Sequence, residues 1–116
     1  MEKIVCKNSG WNVVKTFEGW TLGILRYCQR FSKCGEMERH LLTDEVFVLL
    51  EGTATLITEE GAYPMEKNAL YNIPKGEWHH IVVSEDATVL VAENSNTAKE
   101  NTEKRYFAEE TGGQPC

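Results

Sequence analysis

His40-Leu-Leu-Thr-Asp-Glu45-Val-Phe-Val-Leu-Leu-Glu51-Gly52-Thr-Ala-Thr-Leu-Ile-Thr58 begins with a histidine and a carboxylate and continues into two apolar runs hinged on a glycine. Each run is strand-sized, rich in β-branched and aromatic residues, and bounded by turn residues. Val46 to Leu50 is also far too short to span a bilayer. Glu45–Glu51 and Thr53–Thr58 are therefore expected to form a hairpin about Gly52.

The same pattern extends in both directions. Val13-Val14 and Phe17 lead into a turn at Gly19, and Trp20 to Phe31 is a long β-rich run in which Gly23 suggests a bend or bulge. Tyr63 to Met65, Leu70 to Ile73, His79 to Val83 and Thr88 to Ala92 complete the series, separated by Pro74-Lys75-Gly76 and Ser84-Glu85-Asp86. Short strands at regular spacing, with no amphipathic helix among them, predict an all-β sandwich or barrel. After Asn94 the chain turns polar, with Tyr106-Phe107 as an aromatic anchor, and is expected to form a tail across the barrel or a partner's barrel. The organisation read from this is an N-terminal edge over 1–19, a barrel over 20–94 and a C-terminal tail over 95–116.

Composition narrows the class of function. A chain of 116 residues has room for one core, and 41% apolar residues suffice to build it. The net charge of -6 and the scattered Lys and Arg exclude the basic stripe of a nucleic-acid binder. No membrane segment is expected, and Met1 to Cys6 lacks a signal-peptide core, so the chain reads as cytoplasmic. Cys6, Cys28, Cys34 and Cys116 form no CxxC pair or regular framework and read as reduced thiols.

All three histidines fall in two places, Glu38-Arg39-His40 before Glu45 and Gly76-Glu-Trp-His79-His80. Period-two geometry puts Glu38 and His40 on one face of an extended segment, with Arg39 on the other. Glu45 opens a strand whose same-face residues are Phe47 and Leu49, and His79 opens one with Ile81 and Val83. A carboxylate on such an interior face needs a pairing group or a metal. Two imidazoles converging with at least one carboxylate match a first-row divalent ion. His80, next along its strand, should face away and be structural or interfacial.

These spacings resemble the cupin family. His40-x4-Glu45-x6-Gly52 matches the second half of its first motif, G-x5-H-x-H-x(3,4)-E-x6-G, and Pro74-x-Gly76-x2-His79 the core of its second, G-x5-P-x-G-x2-H-x3-N. The second match alone arises by chance in roughly 1% of chains this long. The resemblance covers roughly Trp20 to Glu93. It implies a single-domain jelly-roll β-barrel, a homodimer, and one divalent ion (Mn, Fe, Zn or Ni) held by His40, Glu45 and His79.

The chain departs from the pattern in four ways: Glu38 stands where the family has its first histidine, Gly35 lies three residues closer to it than the family spacing, Asn68 replaces the glycine opening the second motif, and Val83 replaces its asparagine. Glu38 has three open roles: a fourth ligand, a base, or a solvent-facing carboxylate. As a ligand it favours Mn²⁺ or Fe²⁺ over softer ions. The inner face of Trp20 to Phe31 is equally open, carrying either Arg26, Cys28 and Arg30 or Tyr27, Gln29 and Phe31.

Cupins include oxygenases, isomerases and proteins that only bind ligands, so the resemblance identifies no reaction and no catalytic residue. The leading expectation is a metal-dependent enzyme of oxygenase or isomerase type acting on a small polar metabolite, a sugar derivative or organic acid. The alternatives are a non-catalytic ligand-binding or sensor domain, and metal-free isomerisation or epimerisation by a His/acid pair.

Overall fold

The computed structural model describes residues 1–107. Ten strands occur there: β1 (Gly10–Phe17), β2 (Trp20–Arg26), β3 (Glu36–His40), β4 (Glu45–Glu51), β5 (Ala54–Thr58), β6 (Gly61–Pro64), β7 (Tyr71–Ile73), β8 (His79–Val83), β9 (Thr88–Asn94) and β10 (Thr102–Tyr106). Single 3₁₀ turns at Gln29–Phe31 and Lys99–Asn101 are the helical elements among the described residues. None is long and apolar enough to cross a membrane.

The closed barrel expected from the sequence is not what forms. The strands make two five-stranded antiparallel sheets, ordered β1-β2-β9-β4-β7 and β10-β3-β8-β5-β6, with no hydrogen-bonded pairing between them among the described residues. The topology is cupin-type, but side chains rather than a continuous ladder join the layers. The expected hairpin about Gly52 fails for the same reason, because β4 and β5 lie in different sheets. Gly52 has φ +74°, and a Cβ there would come within 2.6 Å of Ala87 Cα and 2.7 Å of Ser84 Oγ. Only glycine fits this crossing. The Ser84 N–H, donating to the Thr53 carbonyl at 2.9 Å, holds the far side of the corner.

The core lies between the sheets. Leu25, Phe47, Leu49, Val89 and Val91 come from one sheet, and Leu56, Ile81 and Val83 from the other. Each side chain alternates inward at period two, as a half-buried strand requires. Gly23 is not a bulge: β2 keeps its alternation through it, and the register shifts in β1 instead, between Val13 and Lys15. A Cβ at Gly23 would overlap the Trp11 ring at 2.0 Å, so the glycine makes room for the indole. Since β2 ends at Arg26, neither proposed inner face of Trp20 to Phe31 applies as a strand face. Phe31 enters the core from the 3₁₀ turn, with Tyr27 and Cys28 packed beside it.

The polar C-terminal segment expected as a tail contributes a strand. Thr102 to Tyr106 pairs with β3 along its whole length, Thr102 opposite His40 and Tyr106 opposite Glu36. Cys6 is a free thiol and Cys34 Sγ donates to the Glu36 carbonyl at 3.7 Å. Cys28 packs against the core cluster. Cys116 lies outside the described residues.

Candidate metal centre

Strand register assembles the site. Glu38 on β3 stands opposite His79 on β8, and Thr102 on β10 opposite His40. In the facing sheet Glu45 on β4 stands opposite Glu93 on β9. The two sheets thus present Glu38, His40 and His79 from one side and Glu45 and Glu93 from the other. All line a cavity of about 600 Å³, with Phe47 and Ile81 as apolar walls and Trp11, Lys99, Lys104 and Tyr106 also along its lining.

The loop before β8 explains the second motif. The Gly76 N–H donates to the His40 carbonyl at 2.7 Å, and Lys75 N–H donates to Asp44 Oδ1 at 2.9 Å, tying the loop to the segments carrying His40 and Glu45. Gly76 has φ +84° with open space around it, so conformation rather than crowding selects glycine there. Asn68, the departure from the family glycine, has φ 64°, and asparagine tolerates that left-handed region.

One ligand atom from each of Glu38, His40, Glu45 and His79 lies within 4.8 Å of the others. His79 Nε2 is 2.8 Å and His40 Nε2 3.3 Å from Glu45 Oε1, and His40 Nε2 is 3.6 Å from Glu38 Oε2. Donors held at about 2.0–2.2 Å around one ion stand about 3–3.5 Å apart in tetrahedral or octahedral geometry. These separations are of that size. The cluster is geometrically consistent with one divalent first-row ion.

The imidazole tautomers make the same point independently. His79 Nδ1 lies 3.0 Å from the Glu77 carbonyl, which can only accept, so Nδ1 carries a proton and Nε2, 2.8 Å from Glu45 Oε1, is the nitrogen turned toward the cluster. His40 Nδ1 lies 3.0 Å from Thr102 Oγ1, whose own hydrogen is donated to the Thr97 carbonyl at 3.3 Å. Thr102 therefore accepts from His40 Nδ1–H, and His40 Nε2 is the nitrogen turned toward the cluster. That atom is buried and has no hydrogen-bond partner. A backbone carbonyl or hydroxyl fixing the distal nitrogen is the usual outer arrangement around metal-binding histidines.

Glu38 is held so that one oxygen remains for the cluster. Arg30 Nη2 donates to its Oε1 at 3.1 Å, while Oε2 faces His40. The Arg30 guanidinium also approaches Glu36 Oε2 at 3.5 Å and lies 4.9 Å from the Phe31 ring centre. His80 faces away from the cluster, as the sequence suggested. Its Nε2–H is shared between the Arg30 and Lys33 carbonyls at 3.2 and 3.1 Å, pinning the turn that carries Arg30. Burial, with the Arg30 charge nearby, lowers its pKa and keeps it neutral.

Burial and mutual charge govern the electrostatics of the cluster. Burial alone would raise Glu45, but the imidazoles of His40 and His79 beside it outweigh this and hold the carboxyl far below its usual range. Burial likewise opposes charge on His79 and His40, yet hydrogen bonding and charge from Glu45 raise both. Glu93 is pushed up to about 8 by burial and by its contact with Glu45. The sequence did not single out Glu93 or Thr102, and it offered Arg30 only within one of two open sets for the inner face. Glu93 was within reach, since extending Thr88–Ala92 by one residue places it on the face of Val89 and Val91.

No family model matches the chain, and no curated protein does. Among solved structures it is similar to a cupin-2 domain protein from Shewanella frigidimarina (22% identity, 78% of this chain and 84% of that one, TM-score 0.62). It is also similar to Pac13, a nucleoside dehydratase (10% identity, 87% and 83%, TM-score 0.68), and to KdgF from Halomonas (14% identity, 72% and 76%, TM-score 0.62). At these identities the likeness is one of fold. The chain has a cupin-like two-sheet fold, and Glu38, His40, Glu45 and His79 cluster between its sheets.

Proposed function

We propose that His40, Glu45, His79 and Glu38 hold one divalent ion, and that the protein is a metal-dependent enzyme acting on a small polar metabolite. The observation that carries this is the pair of imidazoles held by Nδ1 with Nε2 turned toward two carboxylates in a buried cleft. Two carboxylates offset the charge of a divalent ion, and this mixed nitrogen–oxygen set favours Mn²⁺ or Fe²⁺ over softer ions. The ion would supply Lewis-acid stabilisation of negative charge developing on a substrate oxygen.

The residues around the cluster supply the rest. Lys99 and Lys104 favour an oxyanion or a hydroxyl-rich substrate, while Trp11 and Tyr106 offer flat apolar surfaces to its carbon skeleton. An organic acid or sugar derivative fits this lining, and an oxygenase or isomerase reaction fits the donor set. Glu93, protonated near neutral pH and held by Thr97 Oγ1 at 3.0 Å, is placed to hold or release a proton beside the cluster. The same reading retains the expectation of a cytoplasmic homodimer.

A second reading has its own observation. His79 and Glu45 form a buried pair at 2.8 Å, an arrangement also suited to isomerisation or epimerisation by proton transfer. Turnover of a panel of small organic acids and sugar derivatives, with metal-loaded and chelated protein, separates the readings. Activity lost on chelation and restored by Mn²⁺ or Fe²⁺ supports the first, activity indifferent to chelation the second, and binding without turnover a ligand-binding domain.

A further inference from the structure

The cavity beside the cluster changes character along its length. On one sheet its wall runs from Thr102 and His40, through Lys104, Glu38 and His79, to Tyr106 and Ile81. On the other it runs from the Glu45–Glu93 row to the Phe47–Val91–Gly23 row, two residues or about 6.6 Å along the strands. Trp11 and Leu25 pair on the row beyond, and both line the cavity. Polar groups therefore gather at the cluster end and apolar ones at the other. β1 and β10 are outermost in their sheets, and Trp11 from one and Tyr106 from the other face the same space, so the cavity opens between those two edges.

Trp11 is set into this wall by the backbone of β2. Gly23 lies on the inner row, and an added Cβ there would fall inside the Trp11 ring, 2.8 Å from Cζ2 and closer still to Cη2 and Cζ3. Glycine inside a strand weakens it and marks a close approach. Here the gap seats the benzo end of the indole against β2. We propose that the substrate is an aromatic 2-hydroxy or 2-oxo acid, its ring packed on Trp11 and its carboxylate toward Lys104. The claim rests on the metal-dependent reading above and selects the organic acid over the sugar derivative.

Three observations make that selection. A sugar ring carries hydroxyls around its rim, and burying one without a partner is costly. Trp11, Leu25, Phe47 and Ile81 offer those hydroxyls no side-chain oxygen. A short acid without a ring would fill only the polar end, whereas the cavity of about 600 Å³ lies within the range that encloses larger, mostly apolar ligands. Lys104 stands opposite Glu38 in the β10–β3 pair, between the cluster and Tyr106. Its Nζ is 3.6 Å from Glu36 Oε2, outside hydrogen-bond distance, which leaves its ammonium to meet a carboxylate at that level. The adjacent oxygens of a 2-hydroxy or 2-oxo acid suit the ion of the proposed function.

Calorimetric titration of the metal-loaded full chain with matched acids tests this. Phenyllactate is expected to bind about tenfold more tightly than lactate, which has the same head and no ring. It should also bind more tightly than cyclohexyl-lactate, whose ring is not planar, and than glucuronate. Trp11→Ala and Gly23→Ala are expected to remove the preference while circular dichroism and metal content stay unchanged. Gly23→Ala does so by pushing the indole aside with every lining side chain kept. Trp11→Phe should retain most of the preference and serves as the milder variant should an alanine unfold the sheet. Lys104→Gln should weaken phenyllactate and lactate alike. Lactate or glucuronate bound as tightly as phenyllactate, or a preference that survives both alanine variants, overturns the aromatic acid while retained metal leaves the proposed function standing. A parent that takes up no divalent ion overturns both.

Discussion

The hydroxyl of Thr102 accepts a hydrogen bond from His40 Nδ1 at 3.0 Å across the β10–β3 pair, and this sets which nitrogen of His40 faces the site. The residue lies in a polar segment with no motif of its own, yet it determines the donor geometry of the cluster. Thr102→Val keeps shape and β-branching and removes the acceptor. We expect metal affinity to fall about 10- to 100-fold, the usual cost of losing such a partner, with the fold retained. Titration by calorimetry or competition with a chelating dye reads this directly.

Glu38→Gln should weaken metal binding with the sheets intact, since the amide keeps the size and loses the charge. Glu38→His should retain the ion and shift preference toward Zn²⁺ or Ni²⁺. Metal competition on the two purified variants measures both effects. Unchanged affinity in the Gln variant reduces the donor set to His40, Glu45 and His79.

Metal-free protein should be most stable in mildly acidic to neutral solution. Glu45 is depressed when folded, so its contribution is present above the usual carboxylate range and is lost as pH falls through its folded value. Glu93 is raised to about 8, so its contribution is complete below the carboxylate range and disappears as pH rises through about 8. His40 and His79 are also raised, and theirs is present below the ordinary histidine range and lost at higher pH. Metal binding reverses the alkaline trend, because ligands must be deprotonated. The gain in melting temperature on adding Mn²⁺ should therefore grow from pH 5 to pH 8, and thermal scans at each pH check it.

Phe47 is 2% exposed and sets its ring edge-on to His79 at 6.0 Å between centres. Phe47→Ala should cost about 3–5 kcal/mol of folding stability, the range for emptying a buried aromatic site. It should also weaken metal binding by loosening His79. Urea unfolding of the metal-free protein isolates the first effect and metal titration the second.

Much of this was legible because period-two patterning and loop glycines act locally. The faces of His40, Glu45 and His79 followed from alternation alone. Layer assignment did not, because Gly52 marks a reversal equally well in a hairpin and in a corner between sheets. Only the contact with Ala87 and Ser84, far along the chain, distinguishes them. Arg30 was obscured similarly: alternation was extended through Phe31, whereas the strand stops at Arg26 and a 3₁₀ turn delivers the guanidinium to Glu38. Thr102 required knowing that the polar segment after Asn94 returns to pair with β3.

Metal analysis of the protein purified without added ions, beside His79→Ala, tests the central claim most directly. The account predicts close to one first-row divalent ion per chain in the parent and its loss in the variant under the same conditions. Full occupancy in His79→Ala, or a parent that neither carries nor takes up a divalent ion, would contradict it.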